Sequence, residues 1–548
     1  MGYGARPMTD RLPFPRARHL ALAEAATVAE AGRLAKESAA EAVAVPLEAT
    51  GVPGLPLALS VDVASPEEES CLSLEGKACG VACASSGAAR DRWARLAAEA
   101  ARRGDALLLA GLDRWWRLGP DGAGYCKSCG AALVERLREV YGEHVMAFDA
   151  LGPLRSPAPV RERPYGGLRE ALRLSEAVEA CKQAALRARD EARRARQTEM
   201  PVLGRTGALS PLSLLLCRHL DGLVFDLPSA DPLECLVPLL AARAALGQRP
   251  AVAMAPAGAT EAQVRLLSAL ATACDCDLAL PEGAGQPERA ALAAHRRYLA
   301  AMSERLRPAA PLADLTLLVS PAADAWSGGA HFRALGLAAA ALARLHLQLG
   351  VALDLRAAPR APMVIAGCGG LREEEALAAR RHVTEGGDLL LVGRCALLDD
   401  EGRAVEPVFA GARAGLNRIG EGRAWAVAPE EDAPRDAEAQ IGRAARELLG
   451  RGRASLTLTG RGSLLLRAYL DPERKLDVHV VNLDAAPAQG MTLHVAGQVA
   501  GGGRSGFWFA PDREKGTEGE RIALNPAGFG VSTVLPRLGG SALLTVPR

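Results

Sequence analysis

Residues 201–282 read PVLGRTGALSPLSLLLCRHLDGLVFDLPSADPLECLVPLLAARAALGQRPAVAMAPAGATEAQVRLLSALATACDCDLALPE. Four short apolar runs stand out, Pro201–Arg205, Gly222–Leu227, Ala251–Met254 and Asp277–Leu280, each separated from the next by a segment of helical period. Such runs, alternating with helices, predict parallel strands joined by helical crossovers. Toward the N-terminus the pattern adds His19–Ala23, Ala42–Leu47, Leu57–Val63 and Asp105–Leu112. Eight strands separated by helices predict a TIM (β/α)8 barrel over residues 1–306, with its ligand site at the C-terminal strand ends.

Polar residues fall at those ends: Glu24, Glu48, Asp62, Asp113, Arg205, Asp226 and Glu282. Strand-to-helix loops are generally polar, so the set carries more weight than any single member. Residues 167–200 form a long helical pattern whose apolar face is Leu168, Leu172, Ala177, Ala180 and Ala184. Its arginines alternate with Glu170, Glu176, Glu179, Asp190 and Glu191 at ion-pair spacing, which predicts a solvated outer barrel helix and not a nucleic-acid helix.

From about Pro308 the alternation restarts with a strand at Leu315–Val319 and a helix at Ala334–Leu347. MVIAGCGGLREEEALAARRHVTEGGDLLLVGR then gives a strand at Met363–Ala366, a helix at Arg372–Thr384 stopped by Gly386–Gly387, and a strand at Asp388–Val392. This second α/β unit is bounded at 307–430. The unit at 431–548 opens with a helix, Ala437–Leu449, and continues in strands at Ser455–Thr459, Leu464–Tyr469, Leu476–Asn482, Met491–Val495, Gly506–Phe509 and Ala542–Val546. Asp471–Arg474 turns a hairpin, and the whole predicts a small antiparallel sandwich.

The balance of 65 basic against 64 acidic residues leaves no global field for nucleic acid or an anionic membrane. No apolar run reaches the roughly 18 residues of a membrane span. Glu24 and Glu30 interrupt the one candidate signal-peptide core, and twelve cysteines then read as thiols or metal ligands of a cytoplasmic protein.

The segment YCKSCGAALVERLREVYGEHVMAFDALG, residues 125–152, resembles a stretch of glycoside hydrolase family 42, the β-galactosidases of the TIM-barrel clan. That family reads C-Y-C-x-x-C, an amphipathic helix, Tyr-Gly and a Leu-Asn-x-x-Trp-Gly ending. Tyr125, Cys126, Cys129, Leu137, Tyr141, Gly142 and Gly152 match; Gly124 replaces the first Cys, Phe148 the Asn and Leu151 the Trp. MVIAGCGG to LLLVGR resembles the family's amidotransferase-like trimerisation domain, and LDVHVVNLD its C-terminal β domain. The resemblance implies a barrel acting on β-galactoside-type carbohydrate, a homotrimer, and in some members a bound zinc.

Retaining glycosidases need two carboxyl groups about 5 to 5.5 Å apart, a nucleophile and an acid/base. The family places glutamates at the ends of the fourth and seventh strands, the first within an Asn-Glu pair. Here the fourth strand runs DALLLAGLDRWWR and offers only Asp113, and PAVAMAPAGATEAQV places no acid at the mouth of the seventh. The candidate catalytic residues are therefore Asp113 as acid/base with Glu282 or Asp226 as its counterpart. Candidate sugar contacts are Trp115, Trp116, Arg205, Asp62 and Glu24. The alternative is a barrel that binds glycan, or assembles, without hydrolysis. No cofactor is expected for catalysis.

Cys126 and Cys129 form a C-x-x-C pair, which gives a zinc ion two ligands from one turn. The expected structural zinc set is Cys79, Cys83, Cys126 and Cys129, with Cys71 as the further candidate. Cys368, in G-C-G-G between a strand and a helix, suggests a remote third class, a cysteine-nucleophile amidotransferase-like enzyme.

Overall fold

The structure, a computed structural model, describes residues 22–25, 28–46, 57–62, 70–73, 75, 77–112, 114, 124–141, 166–303, 306, 310–327, 329–353, 361–393, 395, 415–427, 434–450, 454–471, 475–500, 503–513, 516–528 and 530–547. Its first ten strands are β1 (Leu22–Glu24), β2 (Ala42–Pro46), β3 (Leu57–Asp62), β4 (Ser70–Leu72), β5 (Ala78–Ala82), β6 (Ala106–Ala110), β7 (Val202–Ala208), β8 (Gly222–Asp226), β9 (Ala251–Met254) and β10 (Asp277–Ala279). All eight strands read from the sequence are present, and they pair in parallel in the order β1-β2-β3-β6-β7-β8-β9-β10. The ring is a TIM-type barrel; β4 and β5 form a separate antiparallel hairpin.

The barrel interior is filled by one inward residue or two per strand, among them Leu22, Ala44, Ala58, Leu108, Leu203, Val224, Met254 and Ala279. Alanine dominates because a narrow ring leaves little volume per side chain. Between β1 and β10 the closure is made by a side chain. Arg296, on the helix Gln286–Ala301, donates through Nη2 to Leu278 O at 2.8 Å and Leu22 O at 3.4 Å, and through Nη1 to Ser38 O at 2.8 Å. Burial pulls its guanidinium down to about 10, which still leaves it charged at neutral pH.

The long helix spans Gly166–Arg196 and packs on the helix Gly87–Arg103, with Ala177, Ala180, Ala184 and Ala188 almost wholly buried. Within it Lys182 pairs with Glu179 at 3.0 Å and Arg193 with Asp190 at 3.8 Å, as their spacing predicts, while Glu191 and Glu176 reach across to Arg102, at 2.8 Å, and Arg90 of the neighbouring helix.

The second sheet comprises β12 (Leu315–Leu318), β13 (Leu349–Ala352), β14 (Met363–Ala366), β15 (Asp388–Val392), β16 (Gly415–Ile419) and β17 (Gly422–Val427); β11 (Ala310–Pro311) precedes it in the chain. The order β13-β12-β14-β15-β17-β16, parallel but for the edge strand β16, is a doubly wound arrangement whose strand order reverses between β12 and β14. The helix Pro434–Leu449, which the sequence reading groups with the C-terminal strands, lays Ile441, Ala444 and Leu448 into the core shared with β15 and β17, and Leu448 O accepts from Arg423 at 2.6 Å.

The C-terminal strands are β18 (Leu456–Thr459), β19 (Leu464–Leu470), β20 (Leu476–Asn482), β21 (Thr492–Ala496), β22 (Ser505–Phe509), β23 (Glu520–Ala523), β24 (Asn525–Ala527), β25 (Gly530–Val534) and β26 (Ser541–Val546). They form two antiparallel sheets, β11-β19-β20-β26-β22-β23 and β18-β21-β25-β24, around a core that includes Leu466, Val478, Leu493, Trp508 and Leu544. Several buried links hold this sandwich to the rest, among them bonds of Gln348 to Leu466 O and Ala468 N and of Arg467 to Leu349 O. Tyr469 Oη donates to Ala273 O at 2.7 Å, and Asp314 accepts from Gln348 N and Ser455 N at 2.8 Å each.

Candidate functional site

The C-terminal ends of the barrel strands gather the rim residues, because every parallel strand points the same way. Asp62 closes β3, is exposed, and pairs with Arg114 Nη2 at 2.9 Å. Arg205 on β7 reaches Asp226 at the end of β8, Nη2 to Oδ1 at 2.7 Å, and donates through Nη1 to Thr206 O. The parallel register aligns Arg205 with Val224, so the arginine crosses two residues along its neighbour to meet the carboxylate. Glu282 follows β10 and is exposed. Glu24 ends β1 in register with Ala44. Asp113, Trp115 and Trp116, and the side chain of Glu24, lie outside the described residues.

At the seventh barrel strand, β9, Met254 and Ala255 are buried and Ala255 N donates to Ala279 O at 2.9 Å; Pro256, Ala257 and Gly258 follow. Glu261, the first acid beyond, opens the helix Glu261–Ala273 behind the Thr260 cap and pairs with Arg265. It belongs to a helix start and not to the mouth. Among the described residues, the carboxyl groups that burial pushes up, Asp314, Asp324 and Asp477, all lie outside the barrel.

A second cluster sits on the flank of the barrel. Cys71 comes from β4, Cys83 follows β5, and Cys126 and Cys129 bracket the start of the helix Lys127–Tyr141. The four sulfurs all lie within 4.8 Å of one another. Measured pairs are 3.9 Å for Cys71–Cys126, 3.6 Å for Cys71–Cys129, 3.3 Å for Cys83–Cys126, 3.4 Å for Cys83–Cys129 and 3.5 Å for Cys126–Cys129. A tetrahedral ion with metal–sulfur bonds of about 2.3 Å sets its ligands about 3.8 Å apart, so the donor set fits one. The helix N-terminus favours thiolate at the C-x-x-C pair. Contacts with the sulfurs of Cys129, Cys71 and Cys83 hold the Cys126 thiol far below the usual range, while Cys126 foremost pushes Cys129 far above it.

The expected set placed Cys79 here, and the structure brings Cys71 instead. Residues 79 and 83 would share a face of a regular strand. Gly80, at φ +69°, and the register shift between Ser70 and Leu72 break that alternation. The Cys79 thiol donates to Cys71 O at 2.9 Å, away from the other sulfurs.

At the point where the second sheet reverses its order, Ser320, His331 and Cys368 meet, all fully buried. His331 Nε2 accepts from Ser320 N at 3.1 Å, so the proton rides on Nδ1, 2.6 Å from Ala366 O and 3.1 Å from Cys368 Sγ. Burial pushes the Cys368 thiol well up and pulls His331 down to about 4. A base with both nitrogens committed and a thiol held neutral make a packed joint, not a nucleophile pair.

The same joint gives a pH prediction. His331, neutral when folded, contributes stability that is full above its unfolded pKa of about 6.5 and is lost as pH falls toward 4, roughly 3 kcal/mol in all. Asp324, pushed up to about 6 by burial, runs the opposite way, since its protonated form is favoured in the fold. The two largely offset near pH 5. His331→Asn leaves only the second, so urea midpoints measured from pH 7.5 to 4.5 should move by roughly 2 to 3 kcal/mol in favour of the variant at the acid end. Parallel titrations in the two proteins would refute this account.

No protein-family model matches the sequence, and no curated protein matches it. Solved structures do. A β-galactosidase from Bacillus circulans sp. alkalophilus superposes with a TM-score of 0.70 at 13% identity, over 97% of this chain and 99% of that one. The fold agrees over nearly its whole length with that of this β-galactosidase. Gan42B, a GH42 β-galactosidase from G. stearothermophilus, gives 0.69 at 12% identity over 98% and 100%. An α-L-fucosidase isoenzyme 2 from Paenibacillus thiaminolyticus gives 0.64 at 11% over 97% and 100%. Superpositions over 97% or more of the chain mean that the barrel, the doubly wound sheet and the sandwich all have counterparts in these solved structures. Among the described residues no helix is long and apolar enough to cross a membrane.

Proposed function

We propose that the chain is a carbohydrate-directed protein of glycoside-hydrolase type, with a β-galactoside as the first-choice ligand at the C-terminal rim of the barrel. The observation that carries this reading is the likeness over 97% of the chain to β-galactosidases, with a TM-score of 0.70. On this reading the indoles of Trp115 and Trp116 pack on sugar C–H surfaces, while Arg205, Asp62 and Glu24 bond hydroxyl groups. Asp113 is the acid/base. Asp226 is the better counterpart in position, since an oxygen held by Arg205 suits an anionic nucleophile; Glu282 is the other.

A second reading, a barrel that binds glycan or assembles without turnover, is favoured by the buried Met254–Ala255 end of β9, where no acid stands. The cysteine-nucleophile reading has the least support, given the tautomer of His331. Cys71, Cys83, Cys126 and Cys129 would hold a structural zinc; with four sulfur ligands it would have no open position for substrate and would serve to fasten the hairpin to the barrel. The thiols are all unpaired, in keeping with a cytoplasmic protein, and the assembly proposed by analogy is a homotrimer.

A panel of nitrophenyl glycosides, with galactosides and arabinosides titrated by calorimetry, separates the readings. Turnover that falls at least ~100-fold in Asp113→Asn supports the hydrolase. Binding without turnover, weakened in Trp115→Ala or Trp116→Ala, supports the second reading. Neither turnover nor binding would remove the carbohydrate reading and leave assembly.

A further inference from the structure

Gly124 stands where the resembled family carries the first cysteine of its motif, and it adopts φ +96°. A Cβ there would come within 2.5 Å of Arg169 Nη2 and 3.3 Å of its Cζ. That arginine is 4% exposed, lies 4.3 Å over the Tyr125 ring and bonds Glu170 at 2.8 Å; Glu170 also holds Arg173 at 2.9 Å. The Gly124 N–H donates to Cys71 Sγ at 3.0 Å. Arg169, Gly124, Cys71 and Cys129 wall one small cavity of about 30 Å³ beside the sulfur cluster.

Four thiolates around a divalent ion leave a net charge of −2, which is costly to bury without countercharge. The cavity wall supplies some. Arg169 and Arg173 against Glu170 sum to +1, and the Arg90–Glu176 pair adds nothing. A cysteine at position 124 would displace the guanidinium. We propose that Arg169 is a positioning residue for the metal centre: its guanidinium offsets the charge of the tetrathiolate, Gly124 admits it, and Cys71 takes the coordination place that a cysteine at 124 would hold. The hairpin β4–β5 is then the device that delivers the replacement ligand. This rests on the zinc reading above.

The test uses the full chain loaded with Zn²⁺, competed against a chromogenic chelator, and loaded with Co²⁺ to follow the thiolate charge-transfer band. The wild type should hold about one ion per chain. Arg169→Met should weaken Zn²⁺ binding on the order of 10- to 100-fold and shift the Co²⁺ band, while Arg169→Lys, which keeps the charge, restores most of the affinity. Unchanged affinity in Arg169→Met would overturn the proposal and leave Arg169 a packing residue. Should Arg169→Met not fold, Gly124→Ala carries the test, because its methyl pushes the guanidinium aside without removing a charge: weaker binding supports the proposal and equal binding overturns it. A wild type with no Zn²⁺ and no thiolate band would instead sink the zinc reading, and this inference with it.

Discussion

If the four-cysteine cluster holds zinc as proposed, replacing Cys126 by serine should abolish metal binding. The residue touches three of the other sulfurs, at 3.9, 3.3 and 3.5 Å, and sits at the helix start where a thiolate is best stabilised. Four-ligand zinc sites bind with roughly 10 to 16 kcal/mol, so one ligand accounts for about a quarter of that, or a 10²- to 10³-fold loss of affinity. Metal content by elemental analysis should fall from about one per chain to less than a tenth after dialysis. Besides the sulfurs, the described residues of the hairpin β4–β5 are held by Val81 and Ala82, buried in the core cluster of the barrel, and by Tyr125 N donating to Leu72 O at 3.1 Å. Amide exchange should therefore quicken over residues 70–82 and leave β6 to β10 unchanged. Retention of stoichiometric metal by the variant would show that Cys126 is not a ligand.

Arg296→Leu should be the most destabilising single change in the barrel. The substitution leaves Leu22 O, Leu278 O and Ser38 O without their donor at the closure between β1 and β10. Each buried carbonyl left bare costs about 1 to 3 kcal/mol, so the sum over three is roughly 3 to 9 kcal/mol, of which packing by leucine recovers little. Arg296→Lys should recover part of the loss, because one ammonium can bond some of the three oxygens but not span them all. Denaturant unfolding monitored in the barrel would measure it; a change under 1 kcal/mol would mean that the closure is held by the interior packing alone.

The barrel was legible because its strands are short apolar runs bounded by breakers, and all eight fell within a residue or a few of their observed places. The second sheet was harder. The helix read at Ala334–Leu347 is in fact Ala330–Ala343, and β13 begins at Leu349. The apolar pattern runs straight through both. What divides them is His346 at φ +61° and the side chain of Gln348, which bonds His346 O, Leu466 O and Ala468 N, a contact 120 residues away that no local pattern carries. β23 and β24 escaped notice for the opposite reason, since exposed, polar edge strands such as Glu520–Ala523 have weak alternation.

At the site, the residue types were legible and their partners were not. Arg205 and Asp226 were each singled out at strand ends, yet their ion pair depends on the register of β7 against β8. The choice between Cys71 and Cys79 turned on one glycine and one bulge. The C-x-x-C pair, by contrast, needs only a helix turn to bring its sulfurs together, and it was read correctly from spacing.

One short strand has a consequence for how the polypeptide can be divided. β11, two residues just past the barrel, pairs with β19 as an edge of the sandwich sheet some 160 positions later, Ala310 opposite Leu470 and Pro311 opposite Tyr469. Any fragment that starts after residue 450 lacks its own outer border, and any fragment that stops before it carries an orphaned one. On the ribosome, that border must wait for some 160 further residues to be made before its neighbour exists.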